Sequence, residues 1–95
     1  MSSNEQSYQE NLKPTKKNIS FNEACQCYLT EAEIRVVTFI NGGFSSKEIA
    51  SKLGNSPSTI LTHRRNIKKK LNLKGYRSLE KWCRNHRSEI REYSL

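Results

Sequence analysis

This 95-residue chain has no long apolar runs and no strand-like alternation of apolar and polar residues. It also lacks the cysteine pattern of secreted proteins. No stretch approaches the roughly 20 apolar residues of a membrane span, and no apolar run follows the N-terminus as in a signal peptide. The three cysteines are an odd number, which does not suggest a secreted disulfide framework. We therefore expect an all-α, cytoplasmic protein with no membrane partner.

Acidic residues are absent from the centre of the chain. Between Ile49 and Leu79 there are eight Lys or Arg and no Asp or Glu. The net charge of +8 lies wholly in residues 29–95, where fourteen basic side chains accompany six acidic ones. Like charges on one helix face repel, so a face of one sign is favoured where a polyanion supplies the missing charge. This pattern predicts nucleic-acid binding, with a merely solubilising basic face as the alternative.

The length allows one small domain, and the composition divides the chain into three parts. Residues 1–17 are polar and aperiodic, and we predict a disordered, flexible tail there. Residues 18–28 are interpreted as a short linker or docking segment, in which Ser20 or Asn22 could cap a short helix. Residues 29–95 carry the helical patterns and form the predicted domain.

Two capping boxes predict where the first two helices of this domain begin. Thr30 with Glu33, and Ser45 with Glu48, have the spacing at which each side chain bonds the backbone N–H of the other residue. The apolar residues after each box fall on one helical face. The predicted core positions are Val36, Val37, Phe39 and Ile40 in the first helix and Ile49, Ala50 and Leu53 in the second.

A tight turn then leads into a third helix of about residues 56–71. Gly54 stands where a helix end favours a left-handed residue, Ser56 can cap the next helix, and Pro57 suits its first position. Ile60, Ile67 and Leu71 follow at helical spacing. Two capped helices joined by a short turn, the second with a basic outer face, predict a helix-turn-helix.

The exposed face of this third helix is predicted to contact DNA, because the second helix of a helix-turn-helix presents its N-terminal half to base edges in the major groove. Leu61 can meet a thymine methyl, Thr62 offers a methyl and a hydroxyl, and Arg65 suits a bidentate contact to guanine. Phosphate contacts are predicted for seven neighbouring residues: Ser46, Lys47, Ser58, Thr59, Arg64, Lys68 and Lys69.

A fourth helix is predicted over about residues 78–92, with an apolar stripe that contains a large aromatic residue. This stripe could pack against the first helix of the domain, or it could form the face of a dimer. The residues that would form the dimer face are Leu79, Trp82, Cys83 and His86.

The sequence favours neither a zinc site nor an enzyme active site. Cys25, Cys27, Cys83 and His86 would make four suitable ligands, but the two pairs lie 56 residues apart and the second pair fits the apolar stripe. We therefore predict no metal and no other cofactor. His63 lies on the apolar side of its helix without an acid or nucleophile at relay spacing, so no catalytic residues are predicted.

The order of residues between about Tyr28 and Arg87 resembles the helix-turn-helix signature of the LuxR/NarL/FixJ-type DNA-binding domains. The resemblance implies a four-helix domain that binds double-stranded DNA and regulates transcription, with a homodimer through its last helix. Relatives read bases from the positions that match Leu61, Thr62 and Arg65, although they often carry Lys in place of Leu61. The matching residues include Leu29, Thr30, Glu33, Lys47, Glu48, Ile49, Ala50, Leu53, Ser56, Thr59, Ile60, His63, Asn66, Ile67, Lys70 and Leu71.

Two other functions stay open on the sequence alone. One is a sigma-factor-like promoter reader, which presents a similar capped helix-turn-helix. The other is a protein-interaction module or antiregulator that kept the fold but lost DNA binding, which the apolar Leu61 supports. Relatives usually carry a sensing domain before the helix-turn-helix, so a regulatory protein or RNA polymerase is a further candidate partner here.

Overall fold

The computed structural model describes residues 19–94, so the predicted tail of residues 1–17 lies outside the described part of the chain. Within that part the chain is all-α, as predicted, and contains no strand. None of its helices is long and apolar enough to cross a membrane. The helices are α1 (Phe21–Cys27), α2 (Glu31–Asn41), α3 (Ser46–Leu53), α4 (Pro57–Lys70), α5 (Ser78–Asn85) and α6 (Arg87–Ser94).

Both predicted capping boxes are confirmed. At the start of α2, the Thr30 N–H donates to Glu33 Oε1 at 2.9 Å, and the Glu33 N–H donates to Thr30 Oγ1 at 3.2 Å. Ser45 and Glu48 make the same two bonds before α3, at 2.8 and 3.2 Å. Each pair satisfies two backbone donors that the helix itself leaves unpaired, and so fixes where the helix begins.

The turn between α3 and α4 also has the predicted form. Gly54 has a left-handed backbone with φ of 71°, and the next N–H, that of Asn55, donates to the Ala50 carbonyl at 2.9 Å. A Cβ at Gly54 would meet no atom within 4 Å, so the glycine is needed for its backbone conformation and not for space. Ser56 then caps α4 through the Thr59 N–H at 3.3 Å, with Pro57 as the first helical residue.

One apolar core lies beneath these two helices. Ile49 of α3 and Ile60 and Ile67 of α4 are fully buried, and they join Val36 and Val37 of α2 in that core. Because these side chains come from three helices, their packing fixes the tilt at which α4 crosses the domain. The opposite face of α4 is therefore held towards solvent by a rigid support.

Residues 19–28 are part of this core. Ser20 begins α1, since its Oγ accepts the Glu23 N–H at 3.0 Å. The Phe21 ring is buried, with its centroid 6.3 Å from that of Trp82 and 5.4 Å from that of Tyr93. The Phe21 N–H donates to Glu89 Oε1 at 3.2 Å. The segment is thus held by α5 and α6 at the opposite end of the chain.

The single helix predicted for residues 78–92 is wrong, because the chain changes direction at His86 and forms α5 and α6. The His86 N–H is shared between the carbonyls of Trp82 and Cys83, at 3.2 and 3.1 Å, as in a closing helical turn. Beyond the break, Ile90 is fully buried and Tyr93 reaches the ring of Phe21. The apolar spacing continues through the break, so the periodicity alone does not reveal it.

Candidate nucleic-acid interface

The three residues predicted to read bases lie together on the outer face of α4. Leu61, Thr62 and Arg65 are all exposed, and 52% of the Leu61 surface is open to solvent. Leu61, Arg65 and the exposed Lys69 are spaced four residues apart, so they form a row along one side of the helix. We call these three residues with Thr62 the outer row. Neither cation of the outer row has an ion-pair partner among residues 19–94.

Thr62 presents a defined hydrogen-bonding character. Its Oγ1 donates to the carbonyl of Ser58, one turn earlier, at 3.1 Å. Because the hydroxyl proton is used within the helix, the side chain offers a methyl group and acceptor lone pairs to a partner. Thr62 can therefore accept a hydrogen bond from an amino group on a base edge.

The N-terminus of α4 is suited to an anion. The hydroxyls of Ser58 and Thr59 lie 3.1 and 3.0 Å from Ser56 Oγ, and all three residues are exposed. The first turn of α4 contains no acidic residue, so the positive end of the helix dipole remains available to a phosphate, although the Thr59 N–H is already bonded to Ser56 Oγ. At α3, Ser46 is half-buried and Lys47 exposed, but Glu48 carries a negative charge in the first turn.

Two predicted phosphate contacts have partners inside the domain. The guanidinium of Arg64 pairs with the carboxylate of Glu80, and only 19% of the Arg64 side chain is exposed. Lys68 Nζ donates to the Gly75 carbonyl at 3.3 Å. Burial would raise the pKa of Glu80, but a backbone hydrogen bond and the charge of Arg64 outweigh it and lower the pKa below its ordinary value. Glu80 therefore stays ionised and offsets part of the positive charge of Arg64.

An ion pair that the sequence analysis did not predict connects α4 to α2. Lys70 Nζ lies 2.8 Å from Glu33 Oε1, the oxygen that also accepts the Thr30 N–H, and Glu33 is only 3% exposed. The C-terminal end of α4 is thereby joined to the N-terminal end of α2. Lys70 helps to position the outer row and does not itself belong to it.

The residues predicted as a dimer face are mostly inside the monomer. Leu79, Trp82 and Cys83 are buried, and they belong to the same core as α2 and α4. His86 is half-buried, with its ring centroid 4.5 Å from that of Trp82 and its Nδ1 3.2 Å from Glu89 Oε1. The burial favours the first alternative given above, packing within the domain, and a dimer face at these residues stays a prediction.

The three cysteines are free thiols in different degrees of burial. Cys83 lies in the core, where burial, with the charge of Glu80, raises the pKa of its thiol to about 12. Cys25 is half-buried, which also raises the pKa of its thiol, while Cys27 is exposed. Across residues 19–94 no three His, Cys, Asp or Glu side chains lie close enough together to hold a metal ion. His63 is half-buried on α4, with no carboxylate or thiol bonded to it in that part of the chain.

Comparison with known proteins gives one finding. Residues 28–82 match the family model of bacterial regulatory proteins of the luxR family, which confirms the resemblance seen in the sequence. The matched residues contain α2, α3, α4 and the first part of α5, and they leave α1 and α6 outside. The family is one of helix-turn-helix DNA-binding regulators and not of enzymes. No curated protein and no solved structure gives a significant match.

Proposed function

The chain belongs to the luxR family of bacterial regulatory proteins, and from this premise we propose that it is a transcriptional regulator that reads a specific sequence of double-stranded DNA. In this proposal α4 lies in the major groove and presents its outer row to the base edges. The observation that carries the proposal is the exposed row itself, which has no ion-pair partner within residues 19–94 and stands on a rigid apolar support.

Three members of the outer row suit different features of the major groove. Arg65 can donate two hydrogen bonds to O6 and N7 of guanine, and Leu61 can pack on the methyl group of thymine. Thr62, whose proton is already used, can accept from the amino group of cytosine or adenine. A site that contains a guanine near an A·T pair is therefore the expected preference.

Phosphate contacts would set the register of α4 on the duplex and supply most of the affinity. Lys69 is the best placed, since it has no ion-pair partner among residues 19–94. At the N-terminal turn of α4, a phosphate would compete with Ser56 Oγ for the hydroxyls of Ser58 and Thr59. Arg64 and Lys68 would contribute only in competition with Glu80 and the Gly75 carbonyl. The proposed phosphate-binding residues are Ser46, Lys47, Ser58, Thr59, Arg64, Lys68 and Lys69.

Selection of bound fragments from random duplex DNA tests this proposal. We expect an enriched motif whose symmetry also reports the stoichiometry, since a two-fold dimer requires half-sites about one DNA turn apart. If five phosphates are neutralised, log affinity should fall against log salt with a slope of about −4.5. A protein with no salt-sensitive binding to any duplex would contradict the proposal and favour a protein-interaction module that uses the exposed Leu61.

The Arg64–Glu80 pair gives a second test of the same surface. Glu80→Gln removes a carboxylate beside α4 and frees the guanidinium of Arg64 for a phosphate, so we expect tighter DNA binding at low salt. The slope of log affinity against log salt, called the salt slope below, should become steeper by about 0.9. This is the contribution of one additional phosphate contact. Glu92→Gln makes the same charge change at an exposed position of α6 and serves as the control. Equal slopes for the two variants would mean that Arg64 does not reach the DNA.

A further inference from the structure

A broad groove runs along the side of α4 that faces α1. It encloses about 1080 Å³, with α4 as one wall and the C-terminal end of α1 and the residues that follow as the other. Leu61, Arg65 and Lys69 line the first wall, so the groove begins at the outer row. Gln26 and Cys27 of α1, the helix that the family model does not include, line the second wall together with Tyr28.

The charge of this groove has one sign. Among the residues that the structure describes, six cations line it and no carboxylate does. Two of the six, Arg64 and Lys70, have carboxylate partners outside the groove lining, and Lys68 is bonded to a carbonyl. Arg65, Lys69 and Lys74 have no partner among residues 19–94. A polyanion is the occupant that this lining favours, because it would supply several negative charges along the length of the groove.

The α1 wall is held in place by the core. Phe21 anchors the first turn of α1 through buried ring contacts and through its N–H bond to Glu89. Tyr28 packs partly against the core at the other end of the helix, and its N–H bonds the Ala24 carbonyl at 3.0 Å. Gln26 lies between these two anchors on the exposed side. Its amide is therefore presented to the groove by a fixed backbone.

We propose that this groove holds one sugar–phosphate strand of the DNA whose major groove α4 enters. The inference rests on the proposed function and adds a second contact element to it. The strand lies between the outer row and α1, with Gln26 and Tyr28 contacting its phosphates from the α1 side. Side-chain amides and phenolic hydroxyls are both common phosphate contacts, and they fix register without reading sequence.

Substitutions at Gln26 test the contact, since this exposed side chain contributes little to folding. Gln26→Lys should bind the selected duplex more tightly than the wild-type protein, with a salt slope steeper by about 0.9. The ratio of its affinity to that of the wild-type protein should then fall about 3.5-fold between 50 and 200 mM salt. Gln26→Glu should bind more weakly than wild type. Tyr28→Phe should lose about 10-fold in affinity, because a hydrogen bond to a charged group is removed.

Asn85→Lys is the matched control, because it makes the same charge change at an exposed position outside the groove. We expect its salt slope to equal that of the wild-type protein. Gln26 variants that behave like this control would overturn the α1 contact while leaving the proposed function intact. A Gln26→Lys variant as weak as Gln26→Glu would also overturn it, since α1 would then be an obstacle. A wild-type protein that binds no duplex would instead overturn the proposed function.

Discussion

Replacing Arg65 by alanine is expected to lower the affinity for the selected duplex about 10- to 100-fold and to relax the choice of base at one position. Of the two cations of the outer row, Arg65 lies near the middle of α4 and Lys69 at its C-terminal end, and Arg65 has no ion-pair partner among the described residues. Its planar guanidinium can donate two parallel hydrogen bonds to a guanine edge. Without that contact the guanine edge is no longer recognised, so specificity changes as well as affinity.

Two further variants separate the charge of Arg65 from its geometry. Arg65→Lys keeps the positive charge but cannot donate two parallel hydrogen bonds to guanine. Compared with Arg65→Ala, we expect it to regain nonspecific DNA binding but not the preference for one base. Lys69→Ala removes a proposed phosphate contact from the same row. It should weaken binding to all sequences alike and reduce the steepness of the salt slope by about 0.9.

Competition assays with duplexes altered at each position of the motif provide the measurement. The base-reading assignment requires that Arg65→Ala lose its discrimination at one base pair and keep it at the others. A uniform loss over all duplexes, like that of Lys69→Ala, would make Arg65 a phosphate contact. The reading of sequence would then depend on Leu61 and Thr62 or on the shape of the DNA.

The features that the sequence predicted well are those set by fixed, short spacing. A capping box places its two partners three residues apart, so Thr30 with Glu33 and Ser45 with Glu48 could be recognised without knowledge of the fold. Gly54 and the buried apolar face of α4 could likewise be recognised without knowledge of the fold. These local features also decide which face of α4 is exposed, so the outer row could be predicted from periodicity.

The features that were missed depend on how the helices are placed relative to one another. Glu33 was predicted as a helix cap, but its pairing with Lys70 joins residues 37 apart. The Arg64–Glu80 pair exists only because α5 packs beside α4. The break at His86 is accompanied by a contact of Glu89 Oε1 with both His86 and the N–H of Phe21 in α1, 68 residues before Glu89. Spacing along one helix carries no information on any of these contacts.

The core position of Trp82 leads to the largest effect that we expect on stability. Its ring is 7% exposed and lies between Phe21 of α1 and His86 of the following turn. Trp82→Ala should lower the free energy of unfolding by about 3–5 kcal/mol, through lost burial and the cavity left behind. At roughly 0.05–0.15 kcal/mol per residue the described part of the chain has only about 4–11 kcal/mol in total. Urea unfolding at low temperature, followed by circular dichroism, is the suitable measurement.

A milder variant and a surface control keep this result interpretable. Trp82→Phe retains much of the ring contact with Phe21, so it should stay folded even if the alanine variant does not. Tyr76→Ala removes an aromatic ring that is 86% exposed, and its effect should stay within about 0.5 kcal/mol.

The dependence of unfolding on protein concentration distinguishes a core tryptophan from one at a dimer face. If Trp82 stabilises the monomer, the urea concentration at the midpoint of wild-type unfolding is the same at low and high protein concentration. Trp82→Phe then lowers this midpoint equally at both concentrations. If instead Trp82 joins two copies, mass action raises the wild-type midpoint with concentration, and substitution of Trp82 abolishes that rise. The second result would show that α1 does not cover this ring in solution, and it would support the predicted dimer face.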